Sequence, residues 1–159
     1  MNFADTNWLS AIYLPANESD DESKSRRATV SRFMRTHGGR LLISPIVLLE
    51  ARNVFSRVTG ESRPAEWALL ESDFDGRIYI DPMNWRELHR ECEGIFSRYS
   101  HKATIGTLDA AIVASAKLAG ARTFLSFDKT AKAMAVAEGL EIFPELDRDS
   151  KRILNQLCA

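Results

Sequence analysis

The sequence predicts an α/β fold, a three-layer α/β/α domain with a mainly parallel five-stranded sheet and helices on both faces. Two observations lead there. Short apolar runs of strand type alternate along the chain with longer stretches of helical periodicity, the order that builds βαβ units. The stretch from Thr107 to Pro144, TLDAAIVASAKLAGARTFLSFDKTAKAMAVAEGLEIFP, then sets a helix, a glycine stop, an apolar strand and a second helix in close succession, as in the second half of a β-α-β crossover. The 159 residues suit one domain, 1–159, with a substantial core, and no linker, repeat or low-complexity segment divides them.

Each element has its local reason. Asn2 to Ala4 reads as a starting strand, and Asp5-Thr6-Asn7 leads into a helix carrying Trp8, Leu9, Ile12 and Tyr13 that ends at Pro15. A polar loop, NESDDESKS, runs into a helix from about Glu22 to Thr36, with Val30, Phe33 and Met34 facing inward and His37-Gly38-Gly39 as its stop. Arg26, Arg27, Arg32, Arg35 and Arg40 make residues 26–40 basic; a solubilising surface explains them as well as a nucleic-acid contact does. Leu41 to Ile43 is a second strand, and Ser44-Pro45 starts a helix with a side-chain cap and a proline at its first position. Its expected core stripe is Val47, Ala51, Val54 and Val58. A helix from about Pro64 to Phe74, using Trp67, Leu69 and Leu70, precedes the strand Arg77 to Ile80. Asn84 to Tyr99 is amphipathic through Trp85, Leu88, Cys92, Ile95 and Phe96. After the Thr107–Pro144 stretch, whose last strand is Glu141 to Phe143, a C-terminal helix at about 147–157 turns Ile153, Leu154 and Leu157 one way, to pack on the body or on a second copy.

Within the long stretch, Thr107 is expected to cap a helix whose stripe is Leu108, Ile112, Ala116 and Ala119, with Gly120 ending it. Asp109 then lies about 60° from the stripe's middle, at the edge of the core. The strand Thr123 to Phe127 follows, and Asp128 stands at its carboxyl end, where open α/β sheets place ligands. Glu50, about 70° from the centre of its own stripe, has Asn53 and Val54 at the pairing positions and so no cation on its helix. Taken singly, Asp5 and Asp128 read as helix caps, Asp109 as a first-turn acid that favours the positive helix N-terminus, and Glu50 as the partner of a cation on another element or a carboxylate that reaches water.

Composition excludes several classes. Hydrophobic residues make up 45% of the chain, enough to fold. No apolar run reaches the ~18 residues of a membrane span, and the opening MNFADTNWLS is a poor signal peptide, lacking a basic region and carrying Asp5. Cys92 and Cys158 lack metal-type spacing and suit reduced thiols in a cytoplasmic protein. His37, His89 and His101 show no metal-type pairing; His89 reads as a surface residue, and His101-Lys102 as a loop able to reach a phosphate. A net charge of −1 does not advertise nucleic-acid binding, although a cation bound by several carboxylates would leave the rest of the chain net positive.

If the first strand and the strand at 123–127 are neighbours, Asp5, Glu50, Asp109 and Asp128 converge on one crevice. Four carboxylates in one cleft repel each other and call for a cation. Oxygen ligands without His or Cys select a hard ion, Mg²⁺ or Mn²⁺, and such an ion supports phosphodiester hydrolysis.

The residues Asp5-Thr6-Asn7, SPIVLLEARNVF from Ser44 to Phe55, and LDAAIVASAKLAGARTFLSFDKTAKAMAVAEGL from Leu108 to Leu140 resemble the PIN-domain family, and within it the VapC-like toxins of bacterial toxin–antitoxin pairs. The resemblance spans essentially the whole chain. It implies a sheet of order 3-2-1-4-5 and an endoribonuclease with Asp5, Glu50, Asp109 and Asp128 as acidic metal ligands. Thr6 and Asn7 would support Asp5, and Ser126 fills the small hydroxyl position before the last acid. It also implies a small antitoxin partner, an RNA substrate and a homodimer. Two positions depart: Ile112 stands where many relatives have His, and Thr130 where some have a further acid. The second departure leaves one firmly bound ion as the expectation for the free protein. The competing reading is a catalytically weak RNA- or antitoxin-binding module. A phosphatase lacks support because position 7 is Asn, so no Asp-x-Asp pair follows the first strand, and neither GxGxxG nor GxxxxGK[ST] occurs.

Overall fold

A computed structural model describes residues 1–159. Five strands form one sheet in the order β3-β2-β1-β4-β5, and every neighbouring pair is parallel. The strands are β1 (Asn2–Ala4), β2 (Leu41–Ile43), β3 (Ile78–Ile80), β4 (Thr123–Leu125) and β5 (Glu141–Phe143). The helices are α1 (Thr6–Tyr13), α2 (Asp21–His37), α3 (Pro45–Thr59), α4 (Ala65–Ser72), α5 (Trp85–Tyr99), α6 (Thr107–Leu118), α7 (Lys129–Ala137) and α8 (Arg148–Cys158). The mainly parallel sheet foreseen from the sequence is thus wholly parallel, in the order that the resemblance implied.

That order fixes the layers. From β1 the chain winds outward to β2 and β3, then returns across the sheet to β4 and continues to β5. Right-handed crossovers put α1–α4 on one face and, because the direction reverses, α5–α7 on the other. The reversal falls between β1 and β4, and the crevice at their carboxyl ends is a topological switch point. Phe3 pairs with Phe124 and Ala4 with Leu125 in register, so both strands end level and the next residues, Asp5 and Ser126, meet. The Asp5 amide N–H continues the ladder to the Leu125 carbonyl at 3.0 Å.

One hydrophobic cluster fills the interior. Phe3 stacks on Phe124 between neighbouring strands, and fully buried Trp8 contacts Phe33, Phe127 and Phe143. α8 packs along α7 and is further held where the Lys102 ammonium donates to the Leu157 carbonyl at 3.2 Å. Lys102 therefore ties the loop before α6 to the C-terminal helix.

Several side-chain assignments differ from the sequence reading. The strand from Thr123 stops at Leu125. Leu108, Val58, Leu69 and Trp85 are exposed, and the buried face of α3 is Val47, Ala51 and Phe55. Val58, Trp85 and Leu108 line an open cleft, so their helices divide apolar residues between core and cleft wall, which periodicity cannot separate. α6 is buried at Ala110 and throughout Ile112–Ala116, and a helix enclosed on most sides has no single stripe to read.

Candidate active site

The switch-point crevice opens into a cleft of about 1370 Å³ whose lining includes Asp5, Glu50, Asp109 and Asp128. Each acid is placed by a helix terminus or helix edge. Asp5 caps α1, its Oδ1 accepting from the Thr6 N–H at 2.7 Å. Asp128 caps α7 through the Ala131 N–H at 2.7 Å. Glu50 projects from α3, nearly two turns beyond the Ser44 cap. Asp109 stands in the first turn of α6, whose cap is Gly106, not Thr107, and carries no side-chain hydrogen bond. A Cβ on Gly106 would meet Asp109 Oδ2 at 3.1 Å, so glycine there makes room for this carboxylate. The sequence offers Gly106 as a signal only once the folded carboxylate is seen beside it.

Asp5 is 4% exposed and its carboxylate is tightly held. The Ser126 hydroxyl donates to Oδ2 at 2.7 Å. The Asn7 amide donates weakly to Asp5 Oδ2 at 3.4 Å and to Ser126 Oγ at 3.3 Å, while Asn7 Oδ1 accepts the Phe127 N–H at 3.0 Å. Ser126 Oγ also accepts the Asp128 N–H at 3.0 Å. Thr6, Asn7 and Ser126 thus surround Asp5, and Ser126 and Asn7 tie the loop after β4 to the start of α1.

The electrostatics are unusual. None of the four acids takes part in an ion pair. Burial, reinforced by the charges of Glu50 and Asp109, pushes Asp5 from 3.8 up to about 7 against the opposing hydrogen bonds from Ser126 and Thr6. Burial first, then Asp128 and Glu50, lift Asp109 from 3.8 to about 6. Thr6 Oγ1 is buried without a hydrogen-bond partner and Thr6 lines the cleft. A buried orphan hydroxyl normally has a water or ligand to satisfy it.

This donor set fits a hard divalent ion: its donors are all oxygen and its charge is uncompensated. No three His, Cys, Asp or Glu side chains stand close enough to close on one ion as they are.

Sequence reasoning missed two cleft residues. Arg57 on α3 and His89 on α5 both line it. Of the basic run 26–40, only Arg26 and Arg27 do so.

A family model for the PIN domain matches residues 3–152. The chain belongs to the PIN-domain family. PIN domains are nucleases, and the placement of the acids at the switch point is the form this chain gives that fold. Among solved structures, this PIN domain is similar to VapC20 of Mycobacterium tuberculosis, a toxin described as cleaving the sarcin–ricin loop. The two are 19% identical with a TM-score of 0.64, over 88% of this chain and 96% of that one. It is also similar to FitAcB from Neisseria gonorrhoeae at 20% identity and TM-score 0.58, over 90% and 96% of the two chains. FitAB bound to an IR36 DNA fragment gives 20% identity and TM-score 0.60, over 90% and 94%. These likenesses speak for the fold. No curated protein sequence matches the chain.

Proposed function

We propose that this PIN domain is a Mg²⁺-dependent endoribonuclease that hydrolyses RNA phosphodiester bonds and acts as the toxin of a toxin–antitoxin pair, with Mn²⁺ able to replace Mg²⁺. The carrying observation is the convergence of four carboxylates without a cation partner at the switch point, two of them pushed toward neutrality. Asp5, Glu50, Asp109 and Asp128 would hold the ion. When bound, a divalent ion stabilises charge on the phosphate and lowers the pKa of a bound water. Ser126 and the Thr6 N–H fix the Asp5 carboxylate, and Asn7 holds the Phe127 backbone against it.

RNA as substrate, and an antitoxin as partner, are supported by the fold's likeness to a toxin that cleaves the sarcin–ricin loop and to FitAB held on DNA. A homodimer, or the antitoxin itself, suits the exposed Leu49, Val58 and Trp85 on α3 and α5. No helix is long and apolar enough to cross a membrane, and a cytoplasmic location fits a chain whose Cys92 and Cys158 are both free thiols.

One observation favours a second reading. Because no three acids close on an ion as they stand, a weakly catalytic RNA- or antitoxin-binding module is the alternative. Incubating purified cellular RNA with the wild type and Asp109→Asn, in Mg²⁺, Mn²⁺ or EDTA, decides between them. Discrete fragments from the wild type with metal alone support the nuclease. Intact RNA under every condition, from folded protein freed of partner, supports the binding module.

A further inference from the structure

We propose that Arg26 and the Phe127 ring beneath it form a phosphate-binding subsite for the nucleotide that flanks the scissile bond of single-stranded RNA, an inference that rests on the nuclease reading above. A second cavity, of about 310 Å³, adjoins the acid cleft and is lined by Asn7, Arg26, Phe127, Asp128, Lys129 and Thr130. Asn7, Arg26 and Asp128 line both spaces, so a strand leaving the acids past Asp128 enters this cavity next.

Arg26 is the one cation that lines both. Its guanidinium lies 5.2 Å from the centre of the Phe127 ring, and Phe127 stacks on buried Trp8 with ring centres 5.4 Å apart and planes 17° from parallel. The platform under the cation is therefore anchored in the core. It is also fixed relative to the acids, because Asn7, which contacts Asp5 and Ser126, accepts the Phe127 N–H.

The guanidinium is held without being used up. Its one hydrogen bond goes to Glu22 at 2.7 Å, an i,i+4 pair in which Glu22 is 71% exposed, and such surface pairs are weak and readily exchanged. A guanidinium has five donors in a fork that fits phosphate oxygens, so most of its N–H groups remain for a ligand. It makes no ion pair with neighbouring Asp128. Lys129, by contrast, is engaged by Asp149 at 2.8 Å and Asp147 at 3.6 Å, and Arg27 is turned to the Leu14 carbonyl. An acidic pocket that repels a polyanion lies beside a preorganised cation that attracts one, and a phosphodiester chain is the ligand that satisfies both once the acids carry an ion.

The test measures binding and cleavage separately. A fluorescein-labelled pool of random single-stranded octaribonucleotides is titrated into Asp109→Asn and into Asp109→Asn/Arg26→Gln, at several salt concentrations in Mg²⁺. Arg26→Gln should weaken binding about 5- to 10-fold and lower the slope of log affinity against log salt by about 0.7, the value for one phosphate contact on a single strand. Arg26→Lys should recover the slope but not the full affinity, since it keeps charge without the fork. Matching circular dichroism and melting curves establish that each variant is folded. Affinity within twofold of the parent with an unchanged salt slope would overturn the subsite, as would failure of the Asp109→Asn parent to bind the pool. Cleavage by the protein with Asp109 intact reports on the nuclease reading: Arg26-dependent binding with no cleavage would overturn that reading alone.

Discussion

Replacing Asp5 by Asn should stabilise the metal-free protein while removing its function. Asn has the shape of Asp, keeps an acceptor for the Thr6 N–H, and lets the Ser126 hydroxyl turn to accept from the new amide. What disappears is a buried charge. The folded acid is raised from 3.8 to about 7, so it holds its proton more tightly in the folded chain than in the unfolded one. Ionisation then opposes folding. The penalty is absent below about pH 4, grows as pH rises toward 7, and is complete above it. At about 1.4 kcal/mol per pH unit, the ceiling is on the order of 4 kcal/mol. Weaker hydrogen bonds to a neutral amide reduce the expected gain at pH 8 to about 2–3 kcal/mol, or roughly 5–10 °C in melting temperature for a chain of this size. Urea unfolding in EDTA at pH 5 and pH 8, followed by circular dichroism, measures it. Asp5→Asn should exceed the wild type at pH 8, and the gap should narrow toward pH 5. An Asn variant no more stable than wild type at pH 8, or a gap independent of pH, would refute the burial argument.

Three further outcomes follow from single contacts. Asp128→Asn should keep the α7 cap and its stability, whereas Asp128→Ala should lose the bond to the Ala131 N–H and about 1 kcal/mol; both should abolish RNA cleavage, as melting curves and gel assays would report. Gly106 has φ −76° and ψ 139°, a conformation that alanine accepts. Gly106→Ala should therefore hold or raise the melting temperature, by up to about 1 kcal/mol of stability, yet cut cleavage severalfold by displacing Asp109 Oδ2; undiminished turnover would contradict the role given to that glycine. Glu138, whose side chain is 4% exposed, receives Arg98, Lys117 and Tyr99. Burial pushes it up, but the hydrogen bonds from Lys117, Tyr99 and Arg98 together hold it below its usual range, so its contribution is present at neutral pH and fades as pH falls through its lowered pKa. Glu138→Gln should cost about 1–3 kcal/mol, less than the about 3–5 kcal/mol for breaking a fully buried pair because Lys117 and Arg98 reach solvent, and denaturant titration at pH 7 would show it.

The sequence makes the frame legible where local chemistry decides it. Ser44-Pro45 caps α3, Asp5 and Asp128 cap α1 and α7, and Gly120 follows α6 with φ 70°, all local effects of residue type on the nearby backbone. The four acids stand out for a related reason: each occupies a helix start or helix edge that periodicity can locate. What resists reading depends on chain-distant neighbours. The exposed Leu108, Val58 and Trp85 look like core residues until the cleft they line exists. Thr107 looks like a cap because nothing local shows that Gly106 must leave space for Asp109. Arg26 looks like one of five surface arginines until Phe127, about a hundred residues later, comes to lie beneath it.

Metal binding is the most direct test of the acid cleft as one charged centre. Mg²⁺ is titrated into the metal-free wild type at pH 6.5 by calorimetry, in two buffers of different ionisation enthalpy. Asp5 and Asp109, raised to about 7 and about 6, are both partly protonated there and must ionise to hold a cation. One saturable site per chain is expected, releasing about one proton on binding, with weaker binding in Asp109→Asn and the site lost in Asp5→Asn/Asp109→Asn. Folded protein that binds no Mg²⁺ at millimolar concentration, or binds it without releasing a proton, would contradict a shared metal centre built from these four acids.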